Sequence, residues 1–244
     1  MKKPFFLIAL AFVLVSACSL NGNKSSAFNT YYDPAFGEQI TNSIEDFKAD
    51  YEGENTEIGG QATVVNENAV ILEIDWLKAK TLLESENDVF ILFSAPWCPY
   101  CKVFNGILTD AAAKADTPIY YVNIETHPRT EYVTELSDGQ WSVKCKETHD
   151  DYEEFLSELL SKTDDEFVPN KVLSSPGGEQ YDTGIKYVSV PMFIRISNKD
   201  NAQYITKFAL KAQDYDIGNG IGNDTEKNML EKALRNFFAN IEVN

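Results

Sequence analysis

Apolar and polar positions divide the chain into stretches of different period. Phe5 to Val15 is an apolar run behind Lys2 and Lys3. It is too short to span a membrane comfortably and has the charge and length of an export signal. Ser19 to Thr41 has no sustained apolar period, and Asn21 to Ser26 has the composition of a flexible tether. Tyr31, Tyr32 and Phe36 are unusual in a tether and are candidates for docking on a folded domain. Ile44 to Tyr51 fits a short helix, and Glu52 to Gly60 is polar and turn-prone.

Beyond this point strand and helix periods alternate. Ala62 to Ile74 reads as one or two strands, with Ala69 to Ile74 the more buried part. Asp75 is an N-cap candidate for a helix over Trp76 to Glu86, where Leu77, Leu82 and Leu83 stand at near-helical spacing. Val89 to Phe93 is apolar on both faces, as a central strand covered by helices should be. A helix over Lys102 to Ala115 and a strand over Pro118 to Ile124 follow. Asp150 to Lys162 puts Tyr152, Phe155, Leu156, Leu159 and Leu160 on one helical face. Its acidic first turn suits the positive end of a helix dipole, and the lack of Met on the apolar face favours packing onto a core over a partner groove. Tyr187 to Ile196 leads into a strand, Ala202 to Leu210 is its hairpin partner, and Asp224 to Ile241 is a closing helix. The apolar face of that last helix carries Met229, Leu230, Ala233, Leu234, Phe237 and Phe238.

Composition narrows the function. The 244 residues suffice for one large or two small domains of globular composition. A net charge of −17 argues against nucleic acid as a partner and describes a solvated acidic surface. His127 and His149 sit in no motif and read as surface loop residues. Asp214 to Asp224 is acidic and Gly-rich, but Gly218 stands where a third calcium ligand should be and no P-loop lysine follows. That stretch reads as a flexible connection into the last helix. These residues require no metal and no cofactor.

The candidate chemistry lies at Trp97-Cys98-Pro99-Tyr100-Cys101, between an apolar strand and a helix. A strand, Cys-x-x-Cys and helix in that order is the layout of a thiol–disulfide redox site. The helix start offers unpaired N–H groups and a positive dipole end to a thiolate at Cys98. The same spacing also serves zinc knuckles and structural disulfides, and the pattern alone leaves these open.

The motif resembles the active site of the thioredoxin-like superfamily, with the Pro-Tyr filling that glutaredoxins use and a thioredoxin-like Trp before it. The β-α-β-α-β order up to Ile124 and the β-β-α order from about residue 186 match the two halves of that fold. The resemblance implies an α/β fold, a central mixed sheet flanked by helices. Glu125 to about Lys186 is more sequence than the single short helix and loop usual there, and reads as a helical insertion before the cis-proline strand. The resemblance also implies that Val190–Pro191 is the cis-proline step packed against Cys-x-x-Cys. Cys98 is then the accessible, low-pKa attacking thiol and Cys101 the more buried resolving thiol. Trp97, Pro99, Tyr100, Val190 and Pro191 shape the site, with Val190 aligning an extended substrate backbone. The chain departs from plain thioredoxins at Leu92, where they carry a buried Asp, and at Gly106, where they carry a Pro.

Val15-Ser16-Ala17-Cys18 resembles the bacterial lipobox, which implies lipidation of Cys18 and attachment to a membrane surface. The chain then divides into a signal peptide (1–17), a tether and N-terminal extension (18–60), and a thioredoxin-like domain (61–244) with its insertion at about 126–186. Cys145 is left without a partner and reads as a small buried apolar side chain, with a third redox thiol as the alternative. The expected function is a lipid-anchored, extracytoplasmic bacterial thiol–disulfide oxidoreductase of open direction. It would exchange disulfides with exported proteins and with a membrane redox partner. The alternative is a thioredoxin-like binding lipoprotein with a structural Cys98–Cys101 disulfide.

Overall fold

The computed structural model of the chain describes residues 30–33, 35–54, 62–137, 140–174, 178, 180–199 and 202–239. The expected signal peptide and Cys18 lie outside them. In chain order the elements are β1 (Thr30–Asp33), β2 (Glu38–Thr41), α1 (Ile44–Tyr51), β3 (Ile71–Glu73), α2 (Trp76–Glu84), β4 (Val89–Ser94), α3 (Pro99–Ala115), β5 (Ile119–Asn123), β6 (Glu131–Ser137) and β7 (Gln140–Glu147). They continue as α4 (Asp150–Lys162), β8 (Asn170–Ser174), β9 (Gln180–Lys186), β10 (Met192–Lys199), β11 (Ala202–Lys207), β12 (Lys211–Ala212), β13 (Tyr215–Asp216) and α5 (Asp224–Phe238).

The core is a five-stranded sheet in the order β11-β10-β4-β5-β3. Strands β3, β5 and β4 run parallel, while β10 is antiparallel to β4 and β11. Every residue of β4 and β5 is buried, which is why both read as continuous apolar runs. Helices α2 and α4 cover one face: Trp76 stacks on Phe93 at 5.6 Å, and Phe155 lies 5.2 Å from the same ring. On the other face α3 packs against α5, with Phe104, Phe237 and Phe238 around Phe193. Helix α1 joins this second face through Phe47 and Tyr51, both against Tyr121. The result is the thioredoxin-like fold.

The surplus sequence before β10 is not a helical insertion throughout. Helix α4 has the expected limits and packs its Tyr152, Phe155, Leu156 and Leu159 into the core beside α2. It takes the place of the single helix usual at this point. The added residues are two antiparallel hairpins on either side of it, β6–β7 and β8–β9. Their alternation is blurred in sequence because their described side chains are mostly exposed or half-buried, so no face had to be kept apolar.

Residues 30–33 and 35–53 form a folded extension. Ile44, Phe47 and Tyr51 of α1 are buried. Ile71 at the sheet edge donates its N–H to Asn42 Oδ1 at 2.9 Å and accepts from Ser43 N at 2.7 Å, so the extension satisfies an otherwise open edge. Between residues 62 and 70 only an isolated bridge, Thr63 to Gly53, forms; the strand proper is short. Leu77 is exposed and Trp76 and Ala79 take the buried face of α2 with Leu82 and Leu83. Met229 of α5 is likewise exposed. Asp75 caps α2 by accepting from Lys78 N at 2.8 Å. The Gly-rich connection is packed, not free: Tyr215, Ile217 and Ile221 are buried, and Asp216 accepts from Gly218 N and Asn219 Nδ2.

Candidate active site

Strand β4 ends at Ser94, and Ala95-Pro96-Trp97 carries the chain to Cys98, the N-cap residue of α3. Pro99 occupies the first helical turn, where its missing N–H costs nothing. Cys98 Sγ accepts the Cys101 backbone N–H at 3.3 Å, so the sulfur fills the capping role an oxygen usually takes. The Val190–Pro191 peptide bond is cis. It brings Val190 over the motif, and the Cys98 thiol donates to the Val190 carbonyl at 3.7 Å.

Cys98 is less accessible than expected, at 3 % exposure, because the Val190–Pro191 turn lies against it. Around it, Trp97 is 59 % and Tyr100 40 % exposed, so the sulfur lies in the shelter of an open aromatic rim. Trp97 is therefore largely open to solvent. Pro191 is buried.

The two thiols differ electrostatically. A hydrogen bond from Cys101 holds the Cys98 thiol below its ordinary range, against the opposing effect of burial; the N–H groups of Cys101 and Tyr100 and the Arg129 guanidinium act in the same direction. Burial pushes Cys101 up, and its hydrogen bond to Cys98 and the Cys98 charge add to the rise. One thiol is poised to ionise and the other to stay protonated, as sequential attack and resolution require.

Several residues that matter here carry no motif. Arg129, on the loop before β6, donates to the Val188 carbonyl and lies 4.4 Å from the Tyr187 ring centre. Tyr152 of α4 accepts the Val188 N–H at 3.1 Å, and both residues are fully buried. The loop before the cis proline is thus held from both of its Val188 backbone groups by elements of the 125–186 region. Arg129 is one of three arginines in an acidic chain, the one signal that singles it out. Burial pushes both the Cys101 thiol and the Tyr51 hydroxyl up, and the buried Ser94 hydroxyl acts against that rise in each. Asn105 Nδ2 donates to Ser94 Oγ at 3.0 Å, and Tyr51 and Tyr121 share a hydrogen bond of 2.8 Å. Ser94 is legible only as a polar residue closing an apolar strand.

The two departures from thioredoxin have structural counterparts. Leu92 is fully buried, so no acid stands there. A Cβ on Gly106 would come within 3.0 Å of Thr63 Cγ2 and 3.1 Å of the Val64 carbonyl. The segment that needs this space is laced to α3 by Thr63 Oγ1 to Lys102 O at 3.0 Å and Asn66 N to Thr109 Oγ1 at 3.1 Å.

Cys145 is exposed on β7, not buried as a small apolar side chain, because the hairpin that carries it stands off the core. Its sulfur lies 3.3 Å from Thr148 Oγ1 and 3.6 Å from the Glu147 carbonyl oxygen. It does not join Cys98 and Cys101. Among the described residues no group of three or more His, Cys, Asp or Glu is placed to hold a metal ion. Among the same residues no helix is long and apolar enough to cross a membrane.

No curated protein matches the chain. Residues 70–137 match the family model described as Thioredoxin. The matched stretch runs from the approach to β3 through α3 and β5 to the end of β6, and so contains both cysteines. The family suggests thiol–disulfide oxidoreductase chemistry, and the chain carries a thioredoxin-like domain.

Proposed function

We propose that the protein is a membrane-anchored, extracytoplasmic thiol–disulfide oxidoreductase that exchanges disulfides with exported proteins through Cys98 and Cys101. The observation that carries the chemistry is the pairing of a sheltered, low-pKa thiol at a helix N-cap with a fully buried, high-pKa thiol one turn later. Lipidation of Cys18 supplies the anchor and rests on the sequence Val15-Ser16-Ala17-Cys18.

In the reducing direction the Cys98 thiolate attacks a substrate disulfide, one substrate sulfur leaves as a thiolate, and a mixed disulfide forms at Cys98. Cys101 then loses its proton and attacks Cys98 Sγ. The Cys98–Cys101 disulfide forms and the second substrate thiol is released. The oxidising direction is the reverse. An extended substrate segment pairs with the Val190 backbone as an added strand and lays its sulfur beside Cys98. Trp97 and Tyr100 contribute apolar contact at the rim. Replacement of Cys101 by Ser removes resolution, so exported proteins should accumulate as mixed disulfides with Cys98 that a thiol reductant dissolves. No such adducts should form with Cys98→Ser, and their absence from both variants would overturn the reading. Cys18→Ser should release the protein from the membrane fraction.

A further inference from the structure

The chain is acidic, with a net charge of −17, yet two cations meet beside its cis-proline loop. Lys171 of β8 has its Nζ 3.8 Å from the centre of the Tyr187 ring, over which the Arg129 guanidinium also lies. Both cationic side chains are half-buried. Among the described residues neither forms an ion pair; Glu131, whose charge reaches Lys171, is engaged by Lys146 at 2.8 Å. Among the same residues the guanidinium makes one hydrogen bond, from Nη1 to the Val188 carbonyl, and its Nε is buried without a partner. A guanidinium offers five N–H donors in a fork that fits a carboxylate, so most of this capacity is unused. Burial, and then the Arg129 charge, holds the Lys171 ammonium below its ordinary range. Two like charges over one ring repel each other, and an anion in contact with both would offset that repulsion.

The place of the pair gives it a role. Arg129 holds the Val188 carbonyl and the Tyr152 hydroxyl holds the Val188 N–H. Neither backbone group is left to pair with an incoming chain, so a strand added at Val190 stops short of Val188. Ser189 is exposed and Val190 half-buried. The Val190 carbonyl accepts from Cys98 Sγ at 3.7 Å, and Val188 is two residues back, at most about 7 Å of chain. A substrate segment whose sulfur lies beside Cys98 therefore passes the cations about two or three residues further along. We infer that Arg129 and Lys171 form a carboxylate subsite beside the cis-proline loop, which selects substrates with an aspartate or glutamate about two or three residues from the reacting cysteine. The acidic chain around the pair discourages anions elsewhere, so the preference is local to this subsite. The inference rests on the oxidoreductase reading above and adds the class of substrate.

The test uses the reduced full chain in detergent with Cys18→Ser and Cys145→Ser, and peptides whose single cysteine is disulfide-bonded to a coloured aromatic thiol. Exchange turns that disulfide into two thiols while the Cys98–Cys101 dithiol becomes the disulfide, so release of colour reads the rate. The peptides carry Asp, Asn or Lys about two or three residues to either side of the cysteine. Each rate is divided by that of dithiothreitol with the same peptide, which removes differences in intrinsic reactivity. The Asp peptide should outpace the Asn peptide about tenfold at low salt, and added salt should narrow the gap. Lys171→Arg should keep the preference, and Lys171→Glu should turn it toward the Lys peptide. Arg129→Met should narrow it, and it serves if Lys171→Glu does not fold. Equal rates for the Asp and Asn peptides in the parent, or a preference that both folded variants leave unchanged, would overturn this inference alone. Absence of release from every peptide in the parent protein would instead overturn the oxidoreductase reading.

Discussion

Tyr152→Phe tests whether the region before β10 holds the cis-proline loop. The Tyr152 hydroxyl accepts the Val188 N–H at 3.1 Å, and both residues have no exposure to solvent. Removing only the oxygen keeps the ring in place 5.0 Å from Trp76 and 6.1 Å from Tyr187, so no large cavity opens. The Val188 N–H is then buried without an acceptor, and the loss is about 1–3 kcal/mol. For a chain of this size each kcal/mol lowers Tm by about 2–4 °C. Urea unfolding of the reduced protein, followed by tryptophan fluorescence, should show a lower midpoint with an unchanged slope. A midpoint within about 0.3 kcal/mol of the parent value would refute the reasoning, since it would mean that water or another acceptor satisfies Val188. A changed slope would also contradict it, because the oxygen would then be shaping more than one bond.

Alkylation of the reduced protein should modify Cys98 and spare Cys101. Because Cys98 is held below its ordinary range, its rate should rise with pH through a midpoint below that of a free thiol. Arg129→Met keeps most of the side-chain bulk but removes the guanidinium that favours the Cys98 thiolate, so that midpoint should rise; an unchanged midpoint would remove Arg129 from the site. Cys145 is exposed, and a maleimide should label it at once in the native protein, while Cys145→Ser should leave disulfide exchange unaffected. Gly106→Val should cost about 1–3 kcal/mol by displacing Thr63 and Val64 from α3, read as a lowered unfolding midpoint.

The parts of the fold that were legible in the sequence are those whose burial forces a period. Strand β4, buried on both faces, and helix α4, with one buried stripe, could be placed closely from apolar spacing alone. The hairpins β6–β7 and β8–β9 could not, because they flank the core and their side chains are under little constraint to alternate. The same reason hid the exposure of Cys145. Leu77 and Met229 fit a helical period but lie at the margin of their apolar stripes, where one step of rotation turns a side chain to solvent. At the site, Cys98, Cys101 and Pro191 carry a spacing that can be recognised. Ser94 and Asn105 stand within a few residues of the motif without belonging to it, while Tyr51, Arg129 and Tyr152 come from segments far from it in sequence. Tyr51 in particular stands in a stretch that reads only as a short helix of the N-terminal extension, yet its side chain is fully buried and its hydroxyl shares a hydrogen bond with Tyr121.

The most direct measurement is the equilibrium between the dithiol and disulfide forms of Cys98–Cys101 in a glutathione buffer, on the full chain with Cys18→Ser and Cys145→Ser. A redox-active pair exchanges reversibly, with a potential between about −270 mV, where it acts as a reductant, and about −120 mV, where it donates disulfides. The account predicts a value inside that range. A disulfide that still resists reduction at about −300 mV would be structural and would contradict it.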